Sequence, residues 1–250
     1  MEWYMVPAVI LVGFAAGFIN TLAGGGSALS MPLLIFLGLP VNVANGTNRI
    51  AILLQCAVGT AGFAKEKITG YRGSLSIIIA SILGSIPGAL IANRLSEVLM
   101  ERIVGVVLVI MLLLIVFKPD IWLKSRYQEN VDRNPVLSFI IFFLIGIYGG
   151  FIQIGIGFFL LAGLVLIEKK DLIRSNALKL LITLLFTPFA LVVFIINKQV
   201  DFKLGLLLAA GNMAGAWVGA RAAVKKGTGF VRWVLIISLV ISILKLFDIF

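Results

Sequence analysis

Two basic residues stand inside apolar stretches of this chain, each after polar side chains. Arg49 follows Asn45 and Thr47. Lys179 follows Asn176. Fixed positive charge beside amide and hydroxyl donors suits an oxyanion, because charge-assisted hydrogen bonds are the strong ones. These five residues are therefore candidate substrate-binding residues. Snorkelling of the two basic side chains to the water interface is the alternative.

A run of three glycines, Gly24, Gly25 and Gly26, interrupts the first long apolar stretch. Asn20 comes about one helical turn before the run, and Ser27 follows it directly. A helix restarting at Ser27 would present free N–H groups and the positive end of its dipole, which favour an anion. The Ser27 hydroxyl can cap that helix, and the glycines would let a substrate approach the backbone closely. We expect all five residues to bind substrate.

A second glycine cluster repeats this arrangement without the serine. Gly155 and Gly157 follow Gln153, and we expect these three residues to complete the site. A short apolar stretch follows each cluster, 27–37 and 157–167. A helix of that length reaches only about 17 Å, whereas the hydrocarbon core is about 30 Å thick. Each short helix is therefore expected to re-enter the membrane rather than cross it, with its N-terminus near the middle.

The two halves of the chain match each other at a nearly constant spacing. Gly13 and Gly17 reappear as Gly146 and Gly150, and the later segment GSIPGALIANR matches GNMAGAWVGAR. The spacing drifts only from 133 to 127 residues. Coincidence among the 26 glycines is the alternative, but the arginine that ends both later segments argues against it. An internal repeat of this kind is typical of secondary transporters.

The composition indicates that lipid surrounds most of the chain. Of 250 residues, 61% are apolar and 13% are charged, whereas soluble domains are about half apolar and a quarter charged. This excludes a soluble enzyme, a nucleic-acid binder and a disordered tail. With no histidine and one cysteine, the chain cannot form a disulfide framework or the common zinc and haem sites. We expect no enzyme activity, no catalytic residue, no metal site and no cofactor.

The distribution of Lys and Arg favours an inverted repeat. If each glycine break turns the chain back, fifteen of the 21 basic residues lie on one side of the membrane and six on the other. If each break only kinks a continuous span, the division is eleven and ten. Positive charge concentrates on the cytoplasmic side, so the first arrangement is preferred. The net charge of +10 is then a topology signal rather than a sign of a polyanionic partner.

The expected fold is an all-α membrane protein with two inverted-topology repeats. Each repeat consists of a glycine-broken helix hairpin plus three transmembrane helices. The first repeat spans 1–117, a cytoplasmic linker spans 118–134 and the second repeat spans 135–250, with both termini outside. The N-terminal stretch is interpreted as a retained membrane segment, because it lacks the basic region of a signal peptide.

The acidic residues narrow the class of substrate. All 11 of them lie in or near predicted loops or helix ends. Proton and cation pumps usually keep a carboxylate or histidine at membrane depth as a relay or ligand. The substrate is therefore expected to be an anion, and an intramembrane enzyme is disfavoured.

The glycine segments resemble those of a known transporter family. At GFAAGFINTLAGGGSALSMPLLIFLGLP, and more weakly at IGIYGGFIQIGIGFFLLAGLVL, the chain resembles the TauE/SafE-type sulfite exporters, also called the TSUP family. Gly24 to Ser27, Pro32 and the ANGTN stretch carry the likeness. The resemblance implies a multi-pass carrier of the cell (inner) membrane that moves sulfite, thiosulfate, sulfonates or related small organic anions, often as an exporter.

Several functional alternatives remain open at this stage. The leading hypothesis is a secondary transporter of a small sulfur-containing anion that works by alternating access. A passive anion channel, an importer of another small organic anion and an assembly subunit are the alternatives. The expected partners are a small anionic substrate and the lipid bilayer, without nucleic acid. The sequence leaves open the coupling ion and the oligomeric state.

Overall fold

A computed structural model describes residues 5–68, 73–96, 98–100, 102–103, 106 and 134–246. This part of the chain is helical, with short connections and no strand. Most of the expected linker 118–134 and of the last part of the expected first repeat, 103–117, lies outside the described residues. The helices are α1 (Met5–Leu22), α2 (Ser27–Phe36), α3 (Val41–Lys65), α4 (Leu75–Arg94), α5 (Pro135–Phe151), α6 (Ile156–Ala162, extended by a π-helical turn over Gly163–Ile167), α7 (Leu172–Ile196) and α8 (Phe202–Leu246, interrupted by a non-helical kink at Gly227).

The described helices have the length and surface of a membrane protein. Three of them, α1, α4 and α7, are long and apolar enough to cross a bilayer. Large apolar side chains lie on the outside of the bundle, such as Leu11 and Leu75, each 68% exposed. Extended apolar surface of this kind is rare on soluble monomers. The expectation of an all-α membrane protein is confirmed for the described residues.

Helix α1 packs against α8 through glycines that the repeat had paired by sequence. A Cβ atom on Gly13 would lie 2.7 Å from the carbonyl oxygen of Leu208, and one on Gly17 would lie 2.7 Å from the Cα of Asn212. From the other side, a Cβ on Gly215 would meet the backbone of Phe14. Only glycine lets these two backbones approach so closely.

Helices α4 and α5 form a second pair built in the same way. A Cβ on Gly150 would lie 2.7 Å from the Cα of Ser85, and one on Gly88 would lie 2.8 Å from the backbone nitrogen of Phe151. Each of the two pairs joins one helix from the first half of the chain to one from the second. The glycines matched by the repeat therefore perform the same packing role in both pairs.

Helices α3 and α7 contact each other between these pairs, and both begin earlier than their apolar runs suggest. Helix α3 starts at Val41 and α7 at Leu172, so both helices include the polar residues that precede their apolar stretches. The polar residues at these helix starts are mostly buried rather than exposed to lipid. The fold therefore carries the polar segments of both halves into its interior.

Candidate functional site

The two glycine breaks meet in the interior. A Cβ on Gly24 would lie 2.6 Å from the Cα of Gly157, so the two backbones are in direct contact. Gly24 and Gly155 have left-handed backbone conformations, with φ of 87° and 69°, that turn the chain into α2 and α6. Glycine adopts such conformations at little cost. The two breaks therefore lie side by side within the described bundle.

The first break carries backbone N–H groups that have no partner among the described residues. Within the described residues, no hydrogen bond reaches the backbone N–H of Gly25, Gly26 or Ser27. The Phe158 ring lies against Gly25, 2.6 Å from where a Cβ would stand. The expectation that Ser27 caps α2 is wrong, because Gly26 is the N-cap residue and no side chain makes a capping hydrogen bond. These N–H groups are therefore available to an acceptor outside the described residues.

Arg49 is buried inside the bundle and does not snorkel. Its side chain is 0% exposed. Its two terminal nitrogens donate to the carbonyl oxygens of Gly149, at 3.0 Å, and Gly150, at 2.6 Å. The guanidinium carbon lies 4.5 Å from the centre of the Phe194 ring, while Nε makes no hydrogen bond to the described residues. Arg49 on α3 thus holds the C-terminal end of α5.

Lys179 occupies the corresponding place in the second half. It is 1% exposed, and its Nζ donates to the carbonyl oxygens of Asn20, at 2.8 Å, and Thr21, at 3.1 Å. A third bond of 2.8 Å reaches the Oδ1 of Asn176. Lys179 on α7 thus holds the C-terminal end of α1, where the helix dipole is negative.

The charges of Arg49 and Lys179 have no carboxylate partner among the described residues. The described ion pair between Arg174 and Asp171 involves neither of them. The acidic residues that the structure describes all lie in connections between helices: Glu66, Glu168, Asp171 and Asp201. Two positive charges are therefore buried with carbonyl and amide oxygens as their only described counterparts.

An amide network extends from the Lys179 contacts. Asn20 donates from Nδ2 to the Oε1 of Gln55, at 3.2 Å, and Asn212 donates to the same oxygen at 3.4 Å. Gln55 and Asn212 are fully buried, and neither was among the expected site residues. The only sequence signal for Gln55 was its position as a polar residue in the middle of an apolar run.

Three further expected residues, Asn45, Gln153 and Thr47, make hydrogen bonds in different places. Asn45 donates to the carbonyl oxygen of Phe151 at 2.9 Å, beside the Arg49 contacts. Gln153 donates to the Thr187 hydroxyl at 3.1 Å. Thr47 lies apart from both networks.

The Thr47 hydroxyl accepts the backbone N–H of Asp201 at 2.8 Å, in the connection between α7 and α8. Its described contact is therefore structural and lies away from the glycine breaks.

Several buried polar atoms around the breaks lack a partner in the described part of the chain. Buried polar groups are usually hydrogen-bonded, so such a concentration marks a place where a ligand or water can bind. No group of three metal-binding side chains lies among the described residues. Near the breaks and the Arg49 and Lys179 contacts, the unpartnered atoms are Asn45 Oδ1, Asn48 Nδ2, Arg49 Nε, Gln55 Nε2, Gln153 Oε1, Asn176 Nδ2 and Asn212 Oδ1; five others lie elsewhere in the described bundle.

Comparison with known families identifies the type of protein. The model of a family described as "Sulfite exporter TauE/SafE" matches residues 9–246, nearly the whole chain. The chain belongs to the TauE/SafE sulfite exporter family. The resemblance found in the glycine segments is thereby confirmed, and this TauE/SafE protein is a membrane transporter rather than an enzyme.

Curated relatives support the same assignment. This TauE/SafE protein is similar to a probable membrane transporter protein ORF9 of Sinorhizobium, 26% identical over 99% of this chain and 95% of the relative. It is also similar to a probable membrane transporter protein of Haemophilus influenzae, 25% identical over 98% of this chain and 95% of the relative. No solved structure gave a significant match.

Proposed function

We propose that this TauE/SafE protein is a secondary transporter that exports a small sulfur-containing anion, such as sulfite, thiosulfate or a sulfonate, by alternating access. The observation that carries the proposal is the burial of Arg49 and Lys179 without a described carboxylate partner. An uncompensated charge in a low-dielectric interior is costly. An anionic substrate bound nearby would offset that cost, because its charge is opposite and its oxygens accept hydrogen bonds.

The free donors around the breaks fit an oxyanion. The backbone N–H groups of Gly25, Gly26 and Ser27 lie at the positive end of the α2 dipole. Nε of Arg49 and Nδ2 of Asn176 are buried donors without a described partner. A compact anion with several oxygens can accept from such a set simultaneously, whereas a cation would be repelled by both basic residues. The anion class is therefore favoured over a metal or proton substrate.

The contacts between the halves suit alternating access by inverted repeats. Arg49 in the first half holds the end of α5 in the second, and Lys179 in the second half holds the end of α1 in the first. In transporters with inverted repeats, one repeat rocks against the other around a fixed site at broken helices. Each of these contacts crosses between the halves. As the halves rock, one contact can therefore strengthen while the other weakens.

The packing of the breaks favours a carrier over a passive channel. The direct backbone contact between Gly24 and Gly157 leaves no room for water between these two residues. A channel needs a continuous wet path, whereas a carrier needs an occluded state. A channel would instead give unitary currents and no counterflow.

Counterflow in proteoliposomes tests this proposal. Vesicles loaded with unlabelled sulfite should take up labelled sulfite, and thiosulfate and sulfonates should compete more strongly than carboxylates or sulfate. The double variant Asn20→Ala, Gly25→Leu should lose this uptake, because it removes an amide and covers the α2 N–H groups. Uptake at the original rate in that variant would show that these residues are not part of the site. Unitary currents without counterflow would show that the protein is a channel rather than a carrier.

A further inference from the structure

A group of basic side chains at one end of the bundle takes no part in the candidate site. The Arg221 guanidinium carbon lies 4.5 Å from the centre of the Trp217 ring, and Lys65 Nζ lies 5.7 Å from the same ring. Close packing between α3 and α8 brings these residues together, since a Cβ on Gly62 would lie 2.9 Å from the Cβ of Ala220. One aromatic ring thus has two cations beside it, from two different helices.

The same face of α8 continues this positive surface. Residues four apart on a helix lie on one face, so Trp217, Arg221 and Lys225 form a single stripe. Arg221 and Lys225 are exposed, as is the neighbouring Lys226, whose Nζ lies 4.5 Å from the Phe230 ring. Among the described residues, no carboxylate forms an ion pair with any of these cations.

The surroundings of the stripe suit a lipid rather than a dissolved ion. Trp217 is only partly buried, and the adjacent Val218 is 44% exposed. Cations next to an indole ring and exposed aliphatic side chains are typical of the membrane–water interface. A phospholipid offers a phosphate for the cations and acyl chains for the apolar surface, whereas free phosphate offers only the first.

We propose that Trp217, Arg221 and Lys225 on α8, with Lys65 on α3, form a binding site for the headgroup of an anionic phospholipid. The lipid phosphate lies between Arg221 and Lys225, and the part of an acyl chain nearest the headgroup packs along Trp217 and Val218. The expected topology places this end of the bundle on the cytoplasmic side, where the leaflet is rich in anionic lipid. The site is separate from the glycine breaks and does not depend on the transported anion.

The opposite end of the bundle provides a matched control. Lys198 and Lys203 are exposed there, on either side of Asp201. They are as basic as Arg221 and Lys225, but no described tryptophan ring lies beside them. The double variants Arg221→Gln, Lys225→Gln and Lys198→Gln, Lys203→Gln therefore remove equal charge from the two ends.

Native mass spectrometry of the purified protein with phosphatidylglycerol tests the proposal. The unsubstituted protein should retain phosphatidylglycerol more than phosphatidylcholine, and inorganic phosphate should not compete. The Arg221→Gln, Lys225→Gln variant should bind phosphatidylglycerol roughly thirtyfold more weakly, while the Lys198→Gln, Lys203→Gln variant should bind it normally. Equal retention by both variants, or displacement by inorganic phosphate alone, would overturn the proposal. Unchanged melting temperatures of the variants verify that each is folded.

Discussion

Lys179 in the second half of the chain donates a hydrogen bond of 2.8 Å to the carbonyl oxygen of Asn20 in the first half. Arg49 in the first half makes the reciprocal contact, at 2.6 Å, with the carbonyl oxygen of Gly150 in the second. Each cation thus caps the broken helix of the other half. Positive charge at a helix C-terminus is favourable, so these contacts join the halves where the chain is interrupted.

Replacement of Lys179 by Met should destabilise the protein. The carbonyl oxygens of Asn20 and Thr21 would lose their charged donor, and a buried group left unpaired costs about 1–3 kcal/mol. The free energy of unfolding in detergent measures the effect. Lys198→Met, at an exposed lysine, is the control and should change it little. Equal effects of the two replacements would contradict the capping role.

Two glycine replacements can distinguish the cost of crowding at the Gly24–Gly157 contact from the cost of backbone strain. A Cβ on Gly157 would meet the Gly24 backbone, so Gly157→Ala should cost several kcal/mol, because the two backbones must move apart. Gly38 has a φ of 91° and no atom near its Cβ position. Gly38→Ala should therefore cost only about 1–2 kcal/mol, the strain of a left-handed alanine. Thermal unfolding of both variants should rank Gly38→Ala as the milder, and the reverse order would exclude a tight contact.

The sequence located the breaks well, because glycine clusters between apolar runs are a local signal. The second apolar stretch, expected at 27–37, is α2 at Ser27–Phe36. The partners of Arg49 could not be deduced in the same way, because they lie 100 residues away or more along the chain. Ser27 was misjudged as a cap because the backbone at Gly26 is already helical. Local pattern thus gives the elements, while long-range packing decides which polar groups meet.

The amide pair that the sequence missed should show measurable coupling. Gln55 accepts a hydrogen bond from Asn212 across α3 and α8. Side-chain hydrogen bonds between membrane helices contribute about 0.6 kcal/mol on average. A double-mutant cycle of Gln55→Leu and Asn212→Leu, read by unfolding in detergent, should give a coupling energy of about that size. A value indistinguishable from zero would remove this bond from the network.

The inverted arrangement that we propose for the halves predicts opposite exposure of two equivalent helix ends. Lys65 ends α3 and Lys198 follows the end of α7, and both side chains are exposed. In a Cys56→Ala background, Lys65→Cys should react with a membrane-impermeant maleimide only from the cytoplasmic side. Lys198→Cys should react only from the outside. Labelling of both from the same side would show that the two halves are parallel.

The most direct test of the central claim is the rate of sulfite counterflow in proteoliposomes containing the double variant Arg49→Gln, Lys179→Gln. The account predicts that the folded variant loses counterflow, because no buried positive charge remains to bind the anion, while Lys198→Gln, Lys203→Gln retains it. Folding is verified by monodisperse elution in detergent. Counterflow at the original rate in the folded double variant would contradict the assignment of Arg49 and Lys179 to the anion site.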